Sequence, residues 1–148
     1  MAALAAHPLQ RLVAIGFLAG ALSIPTFHQA TIALLQLLGG QAVAVYQTRP
    51  IAPFGVPQIL NSMFWGGLWG IVFLWAARRL AGKYPAWLVG LAVGAVATTA
   101  VAWFVVAPIK GNPVAQGFNP ATMWRSPVVN GMFGLGSALF AGWLEKRL

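Results

Sequence analysis

The chain has 148 residues, of which 59% are hydrophobic and 7% are charged, and Glu145 is its single acidic residue. So few ionised side chains cannot cover a water-soluble globule, which excludes that class of protein. The net charge of +8 does not indicate nucleic-acid binding either, because the basic residues flank apolar runs instead of sharing one face of a polar fold. The absence of cysteine also excludes disulfides and thiolate metal sites.

Four apolar runs are long enough to cross a bilayer, which takes about 20 mostly apolar residues per helix. They predict an all-α integral membrane four-helix bundle that forms a single transmembrane domain over 1–148. The first run continues past Pro25, which is too long for a cleavable signal peptide and predicts a kinked, uncleaved helix. The predicted helices are about 9–38, 57–80, 85–108 and 127–144, each with a proline at or beside its start, and the long connections are 39–56 and 109–126.

Basic residues are distributed unequally between the two ends of the predicted bundle. Because cytoplasmic connections retain Lys and Arg, the richer end predicts cytoplasmic N- and C-termini. The richer end carries Arg11, Arg78, Arg79, Lys83, Lys146 and Arg147, and the other end carries Arg49, Lys110 and Arg125. We expect Arg49 and Arg125 to meet lipid headgroups or solvent, or alternatively an acidic partner protein. The composition and the uncleaved first helix favour the bacterial inner membrane.

A short pattern occurs twice. Asn61-x-Met63-Phe64-x-x-Gly67 opens the second helix, and Asn130-x-Met132-Phe133-x-x-Gly136 opens the fourth. The pattern suggests a duplicated two-helix hairpin, although apolar, Gly-rich sequence also produces chance matches. We expect Asn61 and Asn130 to tether the outer connections, or alternatively to form a paired polar constriction.

Each predicted helix contains two small residues four positions apart, a spacing that allows close packing of helices in lipid. The pairs are Gly16 with Gly20, Gly66 with Gly70, Gly90 with Gly94, and Ala138 with Gly142. They can serve packing within one chain or contact with another chain. We expect at least one pair to face outward.

Polar residues follow one stripe of the first helix, at Ser23, Thr26, Gln29 and Gln36. Buried hydroxyls and amides need partners, so we expect hydrogen bonds to Asn61, Asn130 or nearby backbone. The alternative is the lining of a path for water or a polar solute, which Thr98 and Thr99 of the third helix would extend.

His28 is the only titratable side chain well inside a predicted span, which makes it a candidate functional residue. A structural hydrogen bond, with Thr31 or with backbone freed by Pro25, is the simplest role. Axial ligation of a haem or a chlorophyll-type pigment is a second, although His7 is too distant to be the second ligand of a haem. Contact with a quinone, or proton handling, is a third. The cofactor is otherwise unknown, and membrane lipid is the expected ligand.

Paired carboxylates and an activated nucleophile are absent from the sequence, so we expect that the protein is not an enzyme. We favour a non-catalytic accessory or assembly subunit of a larger inner-membrane protein complex, with an energy-transducing complex as one candidate. The alternative is a homo-oligomeric channel or uncoupled carrier for a small neutral or anionic solute. The expected partners are membrane lipids and either other membrane subunits or further copies of this chain, and not nucleic acid.

Overall fold

A computed structural model describes residues 8–39 and 43–148. Its four long helices are α1 (Pro8–Leu37), α2 (Gln58–Arg79), α3 (Ala86–Ile109) and α4 (Pro120–Glu145). Each is long and apolar enough to cross a bilayer, which confirms the prediction of an all-helical chain with four candidate membrane spans. These helices indicate an integral membrane protein.

The predicted kink in α1 is a π-turn. The helix consists of an α-helix at Pro8–Ser23, a π-turn at Ile24–His28 and an α-helix at Gln29–Leu37. Pro25 has no N–H to donate, so the regular hydrogen-bond ladder cannot pass through it. The ladder resumes where the Gln29 N–H donates to the Ile24 carbonyl, five residues back. The π-turn therefore lets one helix continue across the proline.

The third helix contains two π-turns. It consists of an α-helix at Ala86–Val93, a π-turn at Gly94–Thr98, an α-helical turn at Thr99–Val101, a π-turn at Ala102–Val106 and an α-helical turn at Ala107–Ile109. No proline accounts for the first of these π-turns, because the only proline of α3 is Pro108.

The fourth helix begins at Pro120, seven residues before the predicted start at Pro127. Asn119 caps it, since the Asn119 side-chain oxygen accepts a hydrogen bond from the Ala121 N–H at 3.1 Å. The helix has a short first segment, Pro120–Met123, and after Trp124 a long second segment, Arg125–Glu145. The predicted loop over 109–126 is therefore too long: its last seven residues lie within α4, and Pro127 lies in the first turn of the second segment.

The connections differ in length and form. The α1–α2 connection at 38–57 carries a two-stranded antiparallel hairpin, β1 (Pro50–Ile51) and β2 (Val56–Pro57), in which Pro50 pairs with Pro57. The α3–α4 connection at 110–119 contains a 3₁₀ turn at Val114–Phe118. We call the end of the bundle with these two connections the loop end. We call the opposite end, with the short α2–α3 turn, the terminus end.

Glycine pairs bring the helices of each hairpin into backbone contact. A Cβ on Gly20 would meet the Gly66 carbonyl oxygen, and one on Gly16 would lie 2.7 Å from the Ile71 Cα atom. In the second hairpin, a Cβ on Gly90 would meet the Gly134 carbonyl oxygen. Such close approach of backbones is the packing contact that holds helices together in lipid.

The core lies mainly where α1 meets α2 and α4. One buried cluster, toward the terminus end, contains Ile15, Ala19, Leu74, Ala141 and Leu144. A second cluster, nearer the loop end, contains Ile24, Phe73 and Phe133, and the Phe73 and Phe133 rings meet edge to face with centroids 5.2 Å apart. Phe133 of the second cluster is also the residue of α4 whose carbonyl oxygen accepts a hydrogen bond from Ser23 of α1.

Candidate functional site

The predicted polar stripe of α1 forms hydrogen bonds inside the chain. Ser23 is fully buried and donates to the Phe133 carbonyl oxygen of α4 at 2.7 Å. Thr26 donates to the Leu22 carbonyl oxygen of its own helix at 2.7 Å. These hydroxyls therefore bond to backbone oxygens and not to the asparagines.

The two glutamines of the stripe hold the α1–α2 connection against α1. The Gln29 side-chain oxygen accepts from the Tyr46 N–H at 2.9 Å, and the Gln36 amide donates to the Val43 carbonyl oxygen. Tyr46 adds a return contact, since its hydroxyl donates to the Pro25 carbonyl oxygen at 2.7 Å. The two glutamines therefore bind the α1–α2 connection. Side chains that lined a path would instead face open space.

The two asparagines of the repeated pattern are placed differently. The Asn130 amide donates to the Thr99 hydroxyl of α3 at 3.0 Å, so it joins two helices and does not tether a loop. Asn61 is partly exposed near the start of α2, and its side chain forms no hydrogen bond with the described part of the chain. Among the described residues, no hydrogen bond joins the Asn61 and Asn130 side chains, and a paired constriction stays a prediction.

Most of the small-residue pairs pack inside the hairpins. Gly66 and Gly70 face Gly20 and Gly16, and Ala138 lies against Gly90. Gly94 packs on the Asn130 backbone of α4. Gly142 differs from the others, because a Cβ added there would meet no atom within 4 Å.

His28 ends the π-turn of α1 and is partly buried. Its ring meets the Phe133 ring edge to face at 6.1 Å, and the Gln29 side-chain nitrogen lies 3.4 Å from its Nδ1 atom. Thr31 does not bond to it, because the Thr31 hydroxyl donates to the Phe27 carbonyl oxygen at 2.7 Å. His7 lies outside the described residues. Ligation of a haem or pigment and contact with a quinone stay predictions for His28.

His28 also lines a cavity of about 230 Å³ between α1 and α4 at the loop end. Half of the lining residues are aliphatic and half carry a polar group. The aliphatic residues are Ile32, Leu35, Val43 and Val129, and the polar ones are His28, Arg125, Ser126 and Asn130. A cavity that combines aliphatic and polar lining residues can hold part of a small molecule.

Arg125 is the charged group of this cavity. Its guanidinium carbon lies 5.8 Å from the centre of the Trp124 ring, yet its Nε atom is buried without a hydrogen-bond partner. The neighbouring Ser126 hydroxyl accepts from the Gln116 amide at 2.6 Å, which leaves its own proton free to be donated. A buried N–H of a guanidinium group without an acceptor is costly, so the burial of this atom is not offset by any hydrogen bond within the described residues.

The other loop-end arginine of the prediction has a partner in the chain. The Arg49 Nε atom donates to the Gln58 side-chain oxygen at 2.8 Å. Glu145 lies at the terminus end, where Arg78 pairs with its carboxylate at 2.8 Å and Arg11 donates to its backbone oxygen at 3.1 Å. The single carboxylate side chain is thus engaged far from Arg125.

Sequence patterns single out His28 and Asn130 separately and do not join Arg125 and Ser126 to them. Helical spacing contained part of the signal, because Ser126 and Asn130 are four residues apart and share one face of α4. His28 and Ile32 share a face of α1 in the same way. The missing step was the pairing of these two faces, which depends on the tertiary fold.

Comparisons of this chain with protein-family models, with curated proteins and with solved structures find no match.

Proposed function

We propose that this protein is a non-catalytic accessory or assembly subunit of a larger inner-membrane complex. One observation carries the proposal: the polar side chains of α1 bond to the backbone of the same chain. Ser23 bonds to α4, and Gln29 and Gln36 bond to the α1–α2 connection. A helix whose polar groups are satisfied inside its own bundle adds packing surface to an assembly and does not need an aqueous path.

A homo-oligomeric channel is the weaker candidate. Its expected lining included Gln29, Gln36, Asn61 and Asn130, and three of these four side chains are already hydrogen bonded within the chain. Opening a path along them would first break these intrachain hydrogen bonds, which the closed bundle already satisfies. Asn61 alone does not form a polar lining.

The non-catalytic part of the proposal is supported by composition. The sequence contains one acidic residue and no cysteine, so it provides neither paired carboxylates nor a thiol nucleophile. The single carboxylate, on Glu145, is paired with Arg78.

Two finer statements about the bundle belong to the same proposal. The terminus end carries six of the nine basic residues, which supports cytoplasmic termini in a bacterial inner membrane. Similar glycine contacts in both hairpins support a duplicated hairpin. In this register Gly66 corresponds to Asn130, because Gly66 packs against Gly20 as Asn130 packs against Gly94. The Asn61 and Asn130 patterns are then not equivalent positions.

The loop lengths agree with this register. Gly20 and Gly66 are 46 residues apart in the sequence, whereas Gly94 and Asn130 are 36 apart. The longer separation spans the connection that contains the β-hairpin. A difference of this kind usually lies in the connection within a helix pair, because loops accept insertions readily.

Extraction of the complex in mild detergent tests the main proposal. We expect other polypeptides to accompany this chain in a fixed ratio when its native mass and protein content are measured. A particle that contains only this chain, at an integral multiple of its mass, would favour the channel and contradict the subunit proposal.

Gly142 is the first position at which to disturb a contact with another subunit. The Gly142→Leu variant adds a side chain where the chain itself leaves open space, so folding is expected to be unaffected. The matched control is Ala92→Leu, at an exposed position of α3. We expect Gly142→Leu to reduce co-purification of the partner polypeptides and Ala92→Leu to leave it unchanged. Equal co-purification of the partner polypeptides with both variants would indicate that the contact lies on another face.

A further inference from the structure

The cavity between α1 and α4 combines features that the proposed subunit role does not use. Arg125 and Ser126 line it at the loop end. Ile32 and Val129 form part of its aliphatic wall. A cation beside an aliphatic wall fits a ligand that has a negative head and an apolar chain.

The charge of Arg125 has no counter-ion within the chain. The only carboxylate side chain is Glu145, and it pairs with Arg78 at the opposite end of the bundle. A partly buried guanidinium group attracts an anion more strongly than an exposed one, because water screens the charge less. Any carboxylate or phosphate that pairs with Arg125 would therefore come from outside the protein.

The depth of the cavity also fits a membrane amphiphile. Arg125 and Asn130 both line the cavity and are five residues apart on α4, which is about 7.5 Å along the helix axis. His28 and Leu35 lie seven residues apart on α1, about 10 Å along that axis. The cavity thus extends from the Trp124 level, typical of the headgroup region, into the apolar part of the bundle.

We propose that this cavity binds one anionic amphiphile, a carboxylate or phosphate group carried on an acyl chain. Arg125 and Ser126 donate hydrogen bonds to the anionic oxygens, and Ile32, Leu35, Val43 and Val129 contact the first methylene groups of the chain. His28 and Asn130 line the deeper part of the cavity. Binding is independent of whether the protein is a subunit or a channel.

Binding of defined lipids to the delipidated full-length protein in a nonionic detergent tests this proposal, with native mass spectrometry as the readout. Dioleoylphosphatidylglycerol is the anionic probe, and dioleoylphosphatidylcholine is the matched probe with the same chains and no net charge. We expect one phosphatidylglycerol per protein, and binding of phosphatidylcholine that is about tenfold weaker or more, the size of one charge-assisted hydrogen bond. Equal retention of the two lipids would overturn the proposal.

Two further probes distinguish the sources of the anion. Oleate carries a carboxylate on one acyl chain, and inorganic phosphate carries the anion alone. Preference for oleate would identify a fatty acid as the ligand, whereas preference for phosphatidylglycerol would identify a phospholipid. Inorganic phosphate binding as tightly as either lipid would contradict a role for the apolar wall and overturn the proposal.

Arg125→Gln and Arg49→Gln are the matched variants, because both remove one loop-end arginine but only Arg125 lines the cavity. We expect Arg125→Gln to weaken phosphatidylglycerol binding about tenfold and Arg49→Gln to leave it unchanged. Val129→Phe narrows the cavity at its aliphatic wall without changing any charge, so it gives an independent reading if Arg125→Gln fails to fold. Unchanged binding in Val129→Phe, or equal losses in the two arginine variants, would overturn the proposal.

Discussion

The Ser23 hydroxyl on α1 donates a hydrogen bond of 2.7 Å to the Phe133 carbonyl oxygen on α4, and both residues are buried. The same oxygen accepts a second bond, at 2.9 Å, from the Ser137 hydroxyl one turn further along α4. A backbone oxygen that is already bonded within its own helix thus also connects two helices of different hairpins. The polar contact lies beside the Phe73 and Phe133 rings, so its loss is expected to destabilise the core.

Ser23→Ala should lower the free energy of unfolding by about 0.5–1.5 kcal/mol, the range for a hydrogen bond between membrane helices. The Phe133 oxygen keeps Ser137 as a donor, which places the expected loss below that for a fully orphaned group. Thr26→Ala is the control, because its hydroxyl bonds only within α1. Reversible denaturation in detergent measures both variants. A larger effect of Thr26→Ala would contradict the assignment of Ser23 as an interhelical contact.

Gly20→Ala should separate α1 from α2. The added methyl group would meet the Gly66 carbonyl oxygen and would lie 2.8 Å from the Gly70 Cα atom, so backbone and not a flexible side chain must move. We expect a loss of about 1–3 kcal/mol in the free energy of unfolding, as for overpacking of a tight core. Gly142→Ala, the same chemical change at an open helical position, should be neutral or should stabilise by up to about 1 kcal/mol. Thermal unfolding in detergent compares them, and similar midpoints would refute the close contact at Gly20.

The same substitution at two adjacent threonines of α3 should change the free energy of unfolding differently. Thr99 accepts a hydrogen bond from Asn130, whereas the Thr98 hydroxyl oxygen is buried without a partner. Thr99→Val should therefore lower the free energy of unfolding by about 1 kcal/mol, and Thr98→Val should leave it unchanged or raise it. The two side chains are similarly buried, so the volume change is matched. Chemical denaturation provides the comparison, and destabilisation by Thr98→Val alone would reverse the assignment.

The proposed orientation predicts which single cysteines react in intact cells. The chain has no cysteine of its own, so each introduced thiol is unique. Asn112→Cys, in the exposed α3–α4 connection, should react with an impermeant maleimide added outside intact cells. Ala81→Cys, beside the α2–α3 turn, should react only after permeabilisation. Ala81 is preferable to Gly82 for this purpose because Gly82 has a φ of +89°, which a cysteine would enter only with strain. The reverse labelling pattern would invert the orientation.

The number and class of the helices could be predicted from the sequence because each apolar run is long and uninterrupted by acidic residues. The start of α4 was placed seven residues too late, because Pro120 and Pro127 both suit the first turn of a helix. The Asn119 side chain decides between them by capping the earlier start. A capping residue followed by proline was therefore a readable signal at this position.

The candidate site was less accessible from sequence. His28 stood out because it is titratable inside an apolar run, and its helical face was readable. Arg125 was assigned to headgroups or solvent from its place near the end of a predicted span. That its Nε atom is buried beside the α1 face depends on how α1 and α4 cross, which no local pattern encodes. The hydrogen bond from Asn130 to Thr99 could not be predicted for the same reason, because 31 residues separate the two.

The π-turns allow the third helix to tolerate the loss of a residue. Each π-turn holds one residue more than an α-helical turn with the same ends would hold. Removing one residue within Gly94–Thr98 would thus convert this stretch into ordinary α-helix, while the residues on either side keep their faces toward α4. Removing a residue from Ala86–Val93 would instead rotate Gly90 away from Gly134 by about 100°, the angle between successive residues of an α-helix. In this helix, length can therefore vary at the π-turns without disturbing the glycine contact that joins α3 to α4.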